Sequence, residues 1–424
     1  MSTPSLLNVP YRLKAGTLYS QIPETGLGDF VVTRSASNVA TRINSLGFIE
    51  RVNDNVPRLD YPLGGAVNGC PALLVEPAAT NSIRNNTMVG AVAGTPGTLP
   101  TNHSTALSGL TRTIVGVGSE NGVDYIDIQV SGTATATIFV YAPETTTQIV
   151  AAQNQAWTES VWMKAISDVV GNRPAARLTM YEYTAAGAYV TEGSATIALT
   201  SSLTRFSFTR TLTGATTERV MPRIEIPLTN GTAYNFTIRI GLPQMELGGV
   251  ATSVIPTTTA AITRGADVIR KTGITSLIGQ SEGAVYFEVE VTDEARNKWF
   301  CTLDSASGSF IQMWVNPSRQ INAQINNSGT IVVFPLTSSV LAIGYHKVAF
   351  AYNTATNGCI MYVDGVQNPV ATRTVGSPGL PAFNNMTFGG YISGITESVK
   401  AHVRAGAVYP NRLSDTELAT LTAP

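Results

Sequence analysis

Hydrophobic and polar positions alternate along most of this chain with a period of two. Ile126, Ile128 and Val130 interleave with Tyr125, Asp127 and Gln129; Val285, Phe287, Val289 and Val291 interleave with Tyr286, Glu288 and Glu290. Successive side chains of an extended strand point to opposite faces, so each run reads as a strand with one face in a core and one outside it. From about residue 120 onward Thr, Val, Ile, Tyr and Phe fill such runs, and Gly, Asn-Gly and Asp-Gly separate them. That is the pattern of antiparallel sheets joined by tight turns. Helical periodicity is almost absent. The clearest helix start is Ser414-Asp-Thr-Glu417 ahead of Leu418 and Leu421, a capping box in which the Ser and Glu side chains satisfy each other's backbone amides. The expected fold class is all-β: tandem antiparallel β-sandwiches (jelly rolls) behind an irregular amino-terminal segment.

Three sections follow from the changes in texture. Residues 1–95 mix Arg, Asn and Pro with weak strand signals, and Gly90-Ala-Val-Ala-Gly-Thr-Pro-Gly-Thr-Leu-Pro100, across the boundary to the next section, reads as a flexible or extended linker. Residues 96–270 alternate as one sandwich and close with a Thr-rich crossing at Ile255–Thr263; residues 271–424 form a second β-rich block. Because that last block carries its own alternating runs, hairpin and helix, it is expected to fold alone.

Composition narrows the function. Charged residues are 13% of 424, about half the ~25% usual in soluble domains, and net charge is −1. Phosphate binding needs clustered Lys and Arg, so neither nucleic acid nor an anionic membrane surface is an expected partner. No apolar run approaches the ~18–20 residues of a membrane span, and Met1–Pro10 lacks the basic start of a secretory signal. Cys70, Cys301 and Cys359 are few, odd in number and far apart, which argues for small buried hydrophobes in a reducing cytoplasm. His103, His346 and His402 form no paired ligand motif. No nucleophile elbow or phosphate loop occurs; Gly64-Gly65 and Gly389-Gly390 read as turn glycines. Catalytic residues, metal and cofactors are therefore all expected to be none.

In the last block, Tyr345-His-Lys-Val-Ala-Phe-Ala-Tyr352, Met361-Tyr-Val-Asp-Gly-Val366, Phe388-Gly-Gly-Tyr-Ile-Ser-Gly394 and Leu413-Ser-Asp-Thr-Glu-Leu418 follow in order. The series resembles the laminin-G or concanavalin-A-like jelly roll, with Tyr345 where that family usually has Trp. Elsewhere, Thr33-Arg34, Ala40–Gly47, Asn55-Val-Pro-Arg-Leu-Asp-Tyr61, Leu73-Leu-Val-Glu-Pro-Ala-Ala-Thr-Asn81, Gln244-Met-Glu-Leu-Gly248, Thr252–Thr257 and Thr263-Arg-Gly-Ala-Asp267 resemble segments of head-fibre and tail-fibre proteins of tailed bacteriophages. The stretch Trp157-Thr-Glu-Ser-Val-Trp-Met-Lys164 is similar to their carbohydrate-binding-module-type sandwich. These resemblances imply a virion component made in a host bacterial cytoplasm, with residues 1–95 attaching to capsid, portal or tail proteins. They further imply a homotrimer, with the distal sandwich meeting cell-surface or mucin glycan. The competing implication is a virion-associated glycan depolymerase.

An enzyme of that kind would need a carboxylate pair, ~5–5.5 Å apart in retaining glycosidases. Glu288 and Glu290 share a strand face, but the next position on that face is Thr292 and Asp293 is out of phase; a solvated strand face is the expected reading. Asp304 and Asp364 lack companion oxygen ligands and read as hairpin residues, not as a calcium site. A binding face is better supplied. Phe310, Gln312, Trp314 and Asn316 alternate with Ile311, Met313 and Val315, and Gln320, Asn322, Gln324 and Asn326 with Ile321, Ala323 and Ile325. Paired as a hairpin, the two runs set Gln312, Trp314, Asn322 and Gln324 on one face. Amides donate and accept, as sugar hydroxyls require, and an indole covers the apolar side of a pyranose. Glycan binding, a subunit or virion contact, and simple exposure all remain open for this face. Trp157, Trp162 and Trp299 read as core.

Overall fold

A computed structural model describes residues 2–424 apart from 11, 12, 15, 36, 37, 62–70, 293–296, 306, 307 and 390–400. Gly64-Gly65, Cys70, Asp293 and Gly390–Gly394 lie outside the described residues. The fold is all-β as expected, with antiparallel strands throughout and, among the described residues, one α-helix, Asp415–Thr422. Ser414 caps that helix in the expected box with Glu417.

The chain divides into two units, and not at the expected boundaries. Residues 1–38, 42–78 and 265–424 make the first; 39–41 and 79–264 make the second. The expected separate amino-terminal segment is thus absorbed into two sheets of the first unit. One has the order Val366–Gln367, Ile360–Val363, Gly344–Asn353, Glu282–Val291, Ala401–Tyr409, Ala72–Val75, Arg58–Asp60, with Leu6–Asn8 also on Ala401–Tyr409. The other runs Leu13–Lys14, Thr17–Leu18, Phe30–Thr33, Val268–Thr272, Asn385–Phe388, Lys298–Asp304, Phe310–Val315, Ile321–Asn327, Thr330–Thr337. Residues 271–424 therefore supply most but not all strands of each sheet.

The two sheets share a core to which the early residues contribute. Phe30 sits 4.8 Å from Phe388, and Phe287 lies 5.7 Å from Phe388 and 5.5 Å from Phe300, measured between ring centroids. Gly406 is required here, because a Cβ would come within 2.9 Å of Phe287 and 3.0 Å of Phe388. Leu6, Leu73 and Val75 join the same core, so burying apolar surface, at ~25 cal/mol per Å², holds the early strands in place.

A buried ion cluster fixes where those strands cross the returning chain. Asp267 accepts from Arg34 Nη1 at 2.8 Å and from Arg58 Nη2, while Arg58 Nη1 reaches Glu76 at 2.8 Å. The Glu76 amide donates to Asp267 at 2.9 Å, and Arg34 Nη1 also donates to the Val56 carbonyl at 3.0 Å. Arg34 and Arg58 are 1% and 0% exposed. Burial opposes the Arg58 charge, but Asp267 and Glu76 outweigh it and hold the guanidinium protonated. The segments that resemble phage fibre proteins thus supply the acids and bases of one cluster.

The second unit is a sandwich in its own right. A five-stranded sheet has the order Leu110–Glu120, Val123–Thr133, Ala233–Leu247, Ala156–Asp168, Thr204–Thr211; the six-stranded one has Ser104–Ala106, Ile138–Ala142, Arg219–Pro227, Ala176–Tyr183, Tyr189–Ile197, with Ile149–Val150 on Arg219–Pro227. Ile126, Ile128 and Val130 face inward as their alternation predicts. The expected linker Gly90–Pro100 is part of this unit: Thr98 donates to Val92, and Gly94 and Ile114 exchange backbone bonds at 2.9 Å each. Neutral groups fix its crossings. Asn81 donates to Ile255 and accepts from Ile83 and Met245; Gln244 accepts from Ile255 and donates to Ser253; Thr257 and Asn86 bond each other.

Candidate functional site

The Gln312–Trp314 strand pairs with its neighbour as the alternation requires. Trp314 stands opposite Asn322, and Gln312 opposite Gln324. Ile311, Met313, Val315, Ile321, Ala323 and Ile325 are buried in the core at 1% exposure or less, so the other face carries the four candidate residues. The structure brings all four together.

They are not equally available. Asn322 is 4% exposed; its amide nitrogen donates to Gln320 O at 3.0 Å and its oxygen accepts from Thr337 at 2.6 Å. Gln312 is also 4% exposed. Trp314 and Gln324 are half-buried, which leaves an indole and one amide partly open on a face otherwise occupied by its own hydrogen bonds.

Sequence reading missed one member of this face. Trp299 pairs directly with Trp314 and is half-buried, not core. Simple alternation sets Trp299 on the face of Cys301 and Leu303, both 0% exposed. A bulge between Trp299 and Cys301 inserts Phe300, which is itself buried, and turns Trp299 outward. The two tryptophans therefore stand opposite each other on paired strands, on the face that carries the amides. Trp157 and Trp162 are buried as expected. Farther along the same sheet, Arg270 bonds Asp304 at 2.7 Å and Thr387 at 2.8 Å. Asp304 thus serves an ion pair, although burial raises its carboxyl pKa against the pull of Arg270. Asp364 and Gly365 have φ of 50° and 84°, the left-handed pair of a two-residue hairpin.

The carboxylates of the opposite sheet are engaged with neighbours, where a solvated face was expected. Glu290 contacts His402 Nδ1 at 2.6 Å, and His402 Nε2 contacts Asp60 at 2.9 Å. Carboxylates therefore flank both ring nitrogens of His402. Glu288 meets Arg404 at 3.4 Å, and Arg404 lies 3.4 Å over the Tyr345 ring. Cys301 and Cys359 are buried and free; burial pushes the Cys359 thiol up to about 11. No group of three or more His, Cys, Asp or Glu suited to a metal ion occurs among the described residues.

Residues 275–419 match the family described as the concanavalin A-like lectin/glucanases superfamily. No curated protein matches the chain. Among solved structures, the Ruminococcus gnavus IT-sialidase CBM40 is 14% identical over 34% of this chain and 84% of its own, with a TM-score of 0.28. A structure titled "CBM4 structure and function" is 19% identical over 39% and 100%, at 0.26. The Trypanosoma rangeli sialidase is 12% identical over 93% and 77%, at 0.28. The family match supports a lectin-like jelly roll in the carboxy-terminal part of the chain.

Proposed function

We propose that this chain is a non-catalytic, glycan-binding structural subunit of a tailed-phage particle, a head-fibre, decoration or tail-fibre protein that acts as a homotrimer in the virion. The observation that carries glycan binding is the Trp299–Trp314 pair beside Gln324, on a sheet whose other face is the core. A pyranose stacks its apolar side on indole and directs hydroxyls to an amide, which both donates and accepts. The virion assignment is supported by the sequence resemblance alone. With the early strands absorbed in the sheets, a capsid, portal or tail partner would meet apolar surface at Leu46 and Phe48, 63% and 43% exposed, and at Val31. The engagement of Glu288 and Glu290 with Arg404 and His402 supports a binding role over hydrolysis.

Trp314→Ala tests the reading on a glycan array of host polysaccharides and mucin glycans. Binding to the glycans that this face recognises should be lost while thermal stability falls by much less than the ~3–5 kcal/mol of a truncated core Trp. Unchanged array binding would remove the site, and a wild-type chain that binds no glycan would remove the function.

A further inference from the structure

The six-stranded sheet of the second unit has a second face that the reading above does not use. Leu178, Met180, Ile224 and Ile226 point into the sandwich, so Thr179, Tyr181, Tyr183, Arg223 and Glu225 lie on the opposite side. Tyr181 and Tyr183 are stacked at 6.1 Å with 19° between their planes, and Tyr189 lies 5.8 Å from the first and 6.4 Å from the second. Tyr183 packs on Met221 and Ala142, which makes an apolar floor. Tyr189, on the edge strand, is 59% exposed.

Polar groups converge on these rings. Arg223 lies 3.8 Å over the Tyr181 ring and donates from Nη2 to the Tyr183 hydroxyl. Glu225 is 3% exposed and accepts from Thr179 at 2.9 Å. Glu192 stands across from Tyr181. Burial and the nearby carboxylates of Glu192 and Glu225 push the Tyr181 phenol far above its ordinary pKa, so it keeps its proton and stays a donor.

We propose that this face is a second saccharide-binding site, in which a neutral pyranose stacks on Tyr189 and its hydroxyls bond Arg223, the tyrosine hydroxyls and Glu192. The rings offer the apolar surface a sugar's C–H face needs, and donors and acceptors stand beside them in both kinds, as hydroxyls require. Glu192 and Glu225 stand with Arg177, Arg219 and Arg223 on paired strands of this sheet. Acids and bases are mixed on the face, with no cluster of one sign to select an ionic ligand. An aromatic serving only the core would be covered, as Tyr183 is; Tyr189 is open.

The test uses the full chain carrying Trp314→Ala, which silences the first face, in affinity gel electrophoresis through dextran, mannan, xylan and mixed-linkage β-glucan, with hyaluronan as the charged comparison. At least one neutral polysaccharide should retard this chain. Adding Tyr189→Ala should weaken retardation at least about tenfold, or about 1.4 kcal/mol. Arg223→Lys should weaken it comparably, since lysine keeps the charge and loses the planar stack. Retardation that survives Tyr189→Ala, retardation by hyaluronan alone, or none by any neutral polysaccharide overturns the proposal. So does a loss of self-association in sedimentation on Tyr189→Ala without sugar, which would assign the face to another copy of the chain.

Discussion

Where distant segments cross in the first unit, Asp267 and Glu76 meet Arg34 and Arg58 out of contact with water. Where they cross in the second, Asn81, Asn86, Gln244 and Thr257 exchange neutral hydrogen bonds. The two devices fail differently. A buried ion pair is costly to assemble and more costly to leave half-made, so the charged crossing tolerates one arrangement of its four members and penalises every misalignment. The neutral crossing spreads its demand over many groups, each worth ~1 kcal/mol when made and ~1–3 when a buried partner is orphaned. The first unit draws its members from three separated stretches of chain and has one strict lock; the second, continuous apart from residues 39–41, has many lenient ones.

The largest effect should come from removing the early stretch altogether. A chain of residues 271–424 lacks Leu6–Asn8, Phe30–Thr33, Arg58–Asp60 and Ala72–Val75, all strands of the two sheets. It should be unfolded by circular dichroism and quickly proteolysed; a cooperative melt would show that the early strands only decorate the jelly roll. Next, Asp267→Ala should cost about 3–5 kcal/mol in denaturant unfolding by stranding Arg34 and Arg58. A loss under 1 kcal/mol would place the charged crossing on the same footing as the neutral one.

The second unit should show its own weakness toward acid. His103 is buried, with Nε2 donating to Asn85 O at 2.6 Å and Nδ1 left to accept from Tyr141. Burial lowers its pKa from 6.5 to about 4. Between those values the unfolded chain binds a proton that the folded one does not, so stability falls as pH falls from 6.5 toward 4, by roughly 3 kcal/mol at most. Urea unfolding at several pH values checks this, and His103→Gln should flatten that part of the slope. The smallest effect belongs to the neutral crossing: Asn81→Ala should cost about 1–3 kcal/mol, seen as a shifted midpoint with an unchanged urea slope.

Legibility in the sequence followed strand length and regularity. The run from Phe310 to Asn326 is long and regular enough for its faces to be read directly, and Trp314 lies where alternation sets it. One inserted residue, Phe300, hid Trp299. The early strands were illegible because most are only two to four residues long and their partners lie hundreds of positions away. Arg34 and Arg58 gave no sign of burial, since arginine is ordinarily a surface residue and its acid partners come from elsewhere. The tyrosine face did leave a signal: Tyr181 and Tyr183 share a strand face, and Tyr189 follows a turn through Gly187.

The interrupted course of the first unit has a consequence for synthesis. Its first 78 residues leave the ribosome before residues 79–264, which form nearly all of the second unit. At roughly 5–20 residues per second, the intervening stretch takes about 10–40 s to translate. The second unit can close on the ribosome in that interval, whereas Leu73-Leu-Val75 and Phe30 must wait for Ala401–Tyr409 and Asn385–Phe388 to emerge. The nascent chain therefore carries exposed apolar strands beside a finished sandwich, the state in which a holding chaperone would find its substrate.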